Sequence, residues 1–235
     1  LEDYSRAFSA AEAGIEAALK GDTAPGSFGN ASYTVTTPVS AASNTTLSLG
    51  DINISDTYTV WLAGHKADGS LDLVGPYTNP PYSGTSIDVC WQKADSVGSV
   101  DPAMEVSVFY KDGTSYKVWR GAYDPTSSRT ASNNFNYSNV SSASCVGATQ
   151  NKVTINLSSL GTTRIALRLR PFYAKASVSV VPSANLPGQG LSITSVGTAG
   201  QTTRKVVVTQ SYSSLPSIFD YVLFSGKDAC KGTGC

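Results

Sequence analysis

LEDYSRAFSAAEAGIEAALK, residues Leu1 to Lys20, is the stretch on which the fold reading turns. Leu1, Tyr4, Phe8, Ala11, Ile15 and Ala18 recur at spacings of three and four, which places them on one face of a helix. Glu2–Arg6 and Glu16–Lys20 are i,i+4 pairs in the favourable order. A third stripe holds only small residues: Ala7, Ala10, Gly14 and Ala17. Small side chains let a second backbone come close, while an exposed Gly14 would weaken the helix by about 1 kcal/mol against Ala. The expectation is that Phe8, Ala11, Ile15 and Leu19 dock on the domain that follows. The small stripe then stays open for another helix.

The helix has a clear stop. Lys20 suits the negative helix end, Gly21 can take a left-handed cap, and Pro25 blocks continuation. Beyond it the chain is rich in Thr, Ser and Val. Strands are expected at 57–63, 70–74, 86–92, 104–110, 115–119, 152–157, 164–170, 174–181, 191–196 and 204–212. Lys111-Asp112-Gly113-Thr114 between two of them is a hairpin signal. In Arg164–Arg170, Ile165, Leu167 and Leu169 alternate with Arg164, Arg168 and Arg170, so the leucines and Ile165 are expected to share an inward face. Residues 123–150 are polar and read as a long loop. The fold class expected is α+β: an N-terminal amphipathic helix (1–21) packed on a mainly antiparallel β domain (22–235).

The run Ala10-Ala11-Glu12-Ala13-Gly14-Ile15-Glu16, within SRAFSAAEAGIEAAL, resembles the segment that follows the hydrophobic N-terminus of minor pilins and related assembly proteins of type IV pili and type II secretion systems. Leu215–Ser225 is similar to a phrase near the end of some pilin-like proteins. The resemblance implies a pilin-like sheet extended by a β-sandwich or jelly-roll. It implies a structural or assembly subunit whose partners are other pilin subunits. It also implies an extracellular location, with anchoring in the inner membrane before assembly. The chain departs from the family in one respect. No apolar run approaches the length of about 18 residues that spans a bilayer. The resemblance therefore implies that an anchor helix precedes Leu1, and membrane contact would come only through it.

Composition agrees with an exported structural domain. The 235 residues carry 17 basic and 17 acidic side chains, so no basic excess is available for nucleic acid. Cys90, Cys145, Cys230 and Cys235 match no zinc spacing. The expected disulfides are Cys90–Cys145 and Cys230–Cys235, with the other two connectivities open. No catalytic motif occurs, so an enzyme is not expected. The single histidine, His65, is expected to be a solvated turn residue. No cofactor is expected. The turn aspartates Asp51, Asp56, Asp68, Asp101, Asp112 and Asp124 offer oxygen ligands to a calcium ion, but no EF-hand loop is present. The tryptophans at 61, 91 and 119 are expected in the core. Tyr77, Tyr82 and Tyr137 sit among Pro, Ser and Asn and are the candidate surface contacts for a glycan or host-surface ligand. The alternative function is a carbohydrate-binding or adhesin β-sandwich module.

Overall fold

The computed structural model describes residues 2–39, 46–54, 56–66, 69–77, 79–95, 100–145, 149–161 and 163–217. The helix α1 (Glu2–Leu19) ends as its sequence requires. Gly21 has φ 89°, its N–H reaches the Ala18 carbonyl at 3.0 Å, and the Asp22 N–H reaches the Ala17 carbonyl at 3.0 Å. These two bonds make a Schellman closure. Next come β1 (Gly26–Phe28), β2 (Ala31–Val39), β3 (Leu47–Ile52), β4 (Tyr58–Trp61), β5 (Gly64–His65) and β6 (Leu71–Asp72). They are followed by β7 (Ser86–Lys93), β8 (Ala103–Asp112), β9 (Ser115–Tyr123), the short helix α2 (Ser127–Asn133) and β10 (Ser141–Ser144). The series closes with β11 (Thr149–Asn156), β12 (Thr163–Phe172), β13 (Ala176–Pro182), β14 (Gly190–Ala199) and β15 (Thr202–Ser211).

The strands form four antiparallel sheets, ordered β1-β2-β14-β15, β10-β11-β7-β13-β3, β4-β12-β8-β9 and β5-β6. The α+β expectation is overturned. Strands account for 52% of the structure against 13% for helix, so the chain is mostly β with one N-terminal helix. Among the described residues no sheet closes into a barrel. The expected hairpin is present: Asp112 pairs with Ser115 across Gly113-Thr114, and Gly113 takes φ 59°. The segment expected as a long loop at 123–150 instead holds α2, β10 and the start of β11.

Topology divides the molecule into two regions. α1, β1 and β2 come from the N-terminal end, and β14 and β15 from the C-terminal end. β2 and β14 pair directly, with Val35 opposite Ser195 and Tyr33 opposite Gly197. Everything from β3 to β13 is inserted between them. The helix packs on β2, β14 and β15, so the boundary expected at residue 21 separates elements that share one core.

The insertion is sandwich-like. Its two larger sheets face each other over one apolar core. One sheet contributes Ile87, Val89, Trp91, Val153, Ile155, Val178 and Val180. The other contributes Val60, Met104, Val106, Val108, Leu167 and Leu169. Trp91 is fully buried and donates its indole N–H to the Pro102 carbonyl at 2.8 Å. Trp119 packs partly buried against the same core. Ile165 departs from its expected place. A bulge between Arg164 and Ala166 breaks the alternation, and the Ile165 carbonyl accepts from both Leu62 and Ala63 N–H.

Candidate functional site

Helix α1 lies on its sheet rotated from the orientation expected, so that it docks on a face that only partly overlaps the expected one. Ala7, Ala10 and Ala11 have no exposed surface, and Gly14, Ile15 and Ala18 are also buried. Tyr4, Phe8 and Leu19 are 49%, 41% and 51% exposed. Of the expected docking face, Ala11 and Ile15 dock, while Phe8 and Leu19 point away. Of the stripe expected to remain open for assembly, Ala7, Ala10 and Gly14 are consumed within the chain, and Ala17 is half-buried.

The physical reason is closeness of approach. A Cβ on Gly197 of β14 would stand 2.0 Å from the Ala7 carbonyl oxygen and 2.5 Å from the Ala11 nitrogen. A Cβ on Gly14 would stand 2.2 Å from Ser195 Oγ and 2.8 Å from the Tyr33 ring. Helix backbone and strand backbone nearly touch, so only small residues fit between them. Ala7 and Ala10 pack with Ala31 and Ala199 against Tyr33; Ile15 and Ala18 pack with Ile193 beside Val35, Val206 and Val208.

The outward face is ordered by charge. The Arg204 guanidinium lies 3.9 Å over the Tyr4 ring, a cation–π contact. Arg6 pairs with Glu2. Tyr4 and Phe8 thus stand on the outward side of the helix, each about half-exposed.

The three tyrosines separate. Tyr77 and Tyr137 are exposed, but Tyr82 is 4% exposed and is corrected from a surface contact to a core residue. Its hydroxyl donates to the Ser86 carbonyl at 2.6 Å and accepts from the Ser183 N–H at 2.8 Å, and its ring fills the space a side chain on Gly84 would need. Cys90 and Cys145 are joined by a disulfide, with Cα atoms 6.4 Å apart. Cys90 sits on the outer face of β7, so the bond pins the end of β10 over that sheet. Cys230 and Cys235 lie outside the described residues.

Of the carboxylates read as calcium ligands, Asp68 lies outside the described residues, and the others each meet another partner. Asp51 pairs with Lys175, Asp101 with Lys93, Asp112 with Lys117, and Asp56 accepts from Asn53. Burial alone pushes the Asp124 carboxyl up. Hydrogen bonds from Arg129, the Thr126 N–H and Asn133 outweigh it and hold the group below the ordinary carboxylate range. No group of three or more metal-ligating side chains is gathered among the described residues.

His65 is also corrected: it is buried, not solvated. Its ring stacks on Tyr212 at 3.8 Å and meets the edge of Trp61 at 4.7 Å. This is where the two regions join. The Gln189 side chain accepts from the Trp61 N–H at 2.7 Å and donates to the Trp61 carbonyl at 2.9 Å, as a neighbouring strand would. No protein-family model matches the chain, and neither a curated protein nor a solved structure matches it.

Proposed function

We propose that this chain is the outer domain of a pilin-like subunit of a type IV pilus or related pseudopilus, acting by assembly rather than by catalysis. The reading rests on the resemblance carried by Ala10–Glu16. One observation supports it: α1 lies along a four-stranded antiparallel sheet and turns Tyr4, Phe8 and Leu19 outward. In this reading those side chains are what neighbouring subunits meet, because the small stripe is already used inside the chain. The inserted sandwich is the displayed part. The subunit is anchored in the inner membrane before assembly and extracellular afterwards. A glycan-binding module is the second reading, favoured by the exposed Tyr77 and Tyr137; loss of glycan-array binding in a Tyr77→Ala, Tyr137→Ala variant would support it.

The coding sequence upstream of Leu1 is the first check; an apolar run of about 20 residues behind a basic leader is expected. The second is a Phe8→Ser, Leu19→Ser variant of the full-length gene. It is expected to accumulate at wild-type levels with an unchanged domain melting temperature and to leave cells without surface pili. Normal piliation in that variant overturns the reading.

A further inference from the structure

Alternation along the strands decides what the sheet β4-β12-β8-β9 shows on its outer side. Leu167 and Leu169 of β12 enter the sandwich core, so Ala166, Arg168 and Arg170 face outward. Register then sets two rows beside each other across the four strands. One row is Trp61, Ala166, Phe109 and Val118. The next is Thr59, Arg168, Ser107 and Arg120. Alternate residues of a strand stand about 7 Å apart, so an apolar row and a row with guanidiniums are close neighbours.

The apolar row is hollow. Ala166 is small and 4% exposed, and it forms the floor between the larger Trp61 and Phe109. Tyr116 and Val118 of β9, 68% and 44% exposed, raise one wall. The groove measures about 460 Å³ and its lining is mostly apolar. That size and lining are those of a small-molecule site.

Charge distinguishes the two ends. At one, Arg120, Arg168 and Arg170 share a cleft with Glu105. Glu105 pairs with Arg170 at 3.5 Å, and Arg168 donates to the Leu215 carbonyl at 3.0 Å. At the other, Lys117 pairs with Asp112. Arg120 is exposed and forms no ion pair among the described residues. It stands two residues from Val118 on the outward side of β9, at the margin of the groove.

We propose that this groove binds a free single-chain amphiphile carrying one carboxylate, with its apolar chain along Trp61, Ala166, Phe109 and Val118 and its head on Arg120. A guanidinium fork grips a carboxylate through two parallel hydrogen bonds. A cavity of about 150 Å³ takes a benzene-sized group, so a groove about three times larger takes a chain of roughly twelve carbons or more. A hollow floored by one alanine admits a single chain rather than a bilayer. The 17 basic and 17 acidic side chains also give no general pull toward an anionic membrane. This inference does not depend on the proposed pilus function.

The test titrates the full chain with dodecanoate, kept below its micelle concentration, in a calorimeter. Dodecanol and dodecyltrimethylammonium serve as the neutral and cationic probes of equal length. Dodecanoate is expected to bind at one site, about tenfold or more tighter than dodecanol, with the cation weakest. Arg120→Gln is expected to bring dodecanoate down to the affinity of dodecanol and to leave dodecanol unchanged. Val118→Asp is expected to abolish binding of both. Both side chains are exposed, so neither variant should change the melting temperature. Absence of saturable dodecanoate binding overturns the inference. So does a preference for dodecanoate that persists in Arg120→Gln, or binding that survives Val118→Asp. A dimer that dissociates on Val118→Asp would make the occupant a second copy, and retention on anionic phospholipid vesicles lost in both variants would make it a membrane; either result overturns the inference.

Discussion

The helix–sheet unit and the inserted sandwich are held together by opposite uses of volume. In the sandwich, large side chains fill the gap between two sheets, with Trp91, Leu167 and Leu169 wholly buried. In the helix–sheet unit the gap itself is nearly absent. Toward the start of the helix its contact consists of Ala7, Ala10, Ala31 and Ala199, and of Gly14 and Gly197 where even a methyl group would collide with backbone or ring; only the last turns, with Ile15 and Ala18 on Ile193, use larger side chains. The first region fails when atoms are removed, the second when they are added. A helix carrying Tyr4 and Phe8 on one side and alanines on the other can therefore bury its alanines. Contact with a close backbone offers many weak dispersion contacts, and the helix gains them without ordering a long side chain.

The largest effect is expected from taking volume out of the sandwich. Trp91→Ala should cost about 3–5 kcal/mol, because it leaves a cavity and strands the Pro102 carbonyl without its donor. Urea unfolding followed by circular dichroism would read it, and a loss below about 1 kcal/mol would mean that the two regions do not differ as described. Next comes the covalent tie. Cys90→Ser with Cys145→Ser opens a closure spanning 55 residues and should cost about 2–4 kcal/mol, measured in the same way.

Adding volume to the helix–sheet unit should act third. Gly197→Ala should cost about 1–3 kcal/mol, since its Cβ meets the Ala7 carbonyl and the Ala11 N–H, which belong to backbone and cannot swing aside. Hydrogen exchange should show α1 amides losing protection while those of β7 and β12 keep theirs. A stabilising Gly197→Ala, as the gain in strand rigidity alone would give, would break the comparison.

What the sequence made legible was mostly local. Gly21 in its left-handed cap, the turn at Gly113-Thr114 and the pairing of Cys90 with Cys145 follow from short-range chemistry or redox logic. Two things were hidden. The pairing of β2 with β14 joins residues on either side of a whole sandwich, and no local pattern records it. The rotation of α1 was hidden because an amphipathic reading ranks Phe8 above Ala7 for burial. The opposing signal sat far away in Ala31, Gly197 and Ala199, whose small size means something only once β2 and β14 are side by side. Tyr82 was misread for a related reason: its loop composition suggested a surface, while Ser86 and Ser183 satisfy its hydroxyl inside. Ile165 was displaced by a single bulge, which alternation cannot foresee.

The smallest effect concerns the junction, where neither rule of volume governs. His65 of the sandwich stacks on Tyr212 at the end of the helix–sheet unit, and its Nδ1 is buried without a hydrogen-bond partner. Burial holds its imidazole below the ordinary histidine value, since a charged ring would lose its water. On acidification the unfolded chain takes up the proton first, near pH 6.5, while the folded ring stays neutral. The stability this group contributes is therefore complete above that pH and falls as pH drops below it, until the folded ring is protonated too. His65 is the only histidine in the chain, and histidine is the side chain whose ordinary charge change falls in the interval from about pH 5 to 7, so that interval reads this group. Unfolding free energy should decline modestly between pH 7 and pH 5 in the wild type and stay flat in His65→Gln. Hydrogen exchange should place the loss at the end of β15 and at β4 before the sandwich core. If the decline persists unchanged in His65→Gln, the two regions are not coupled through this ring, and the Gln189 bridge to Trp61 becomes the next junction to test.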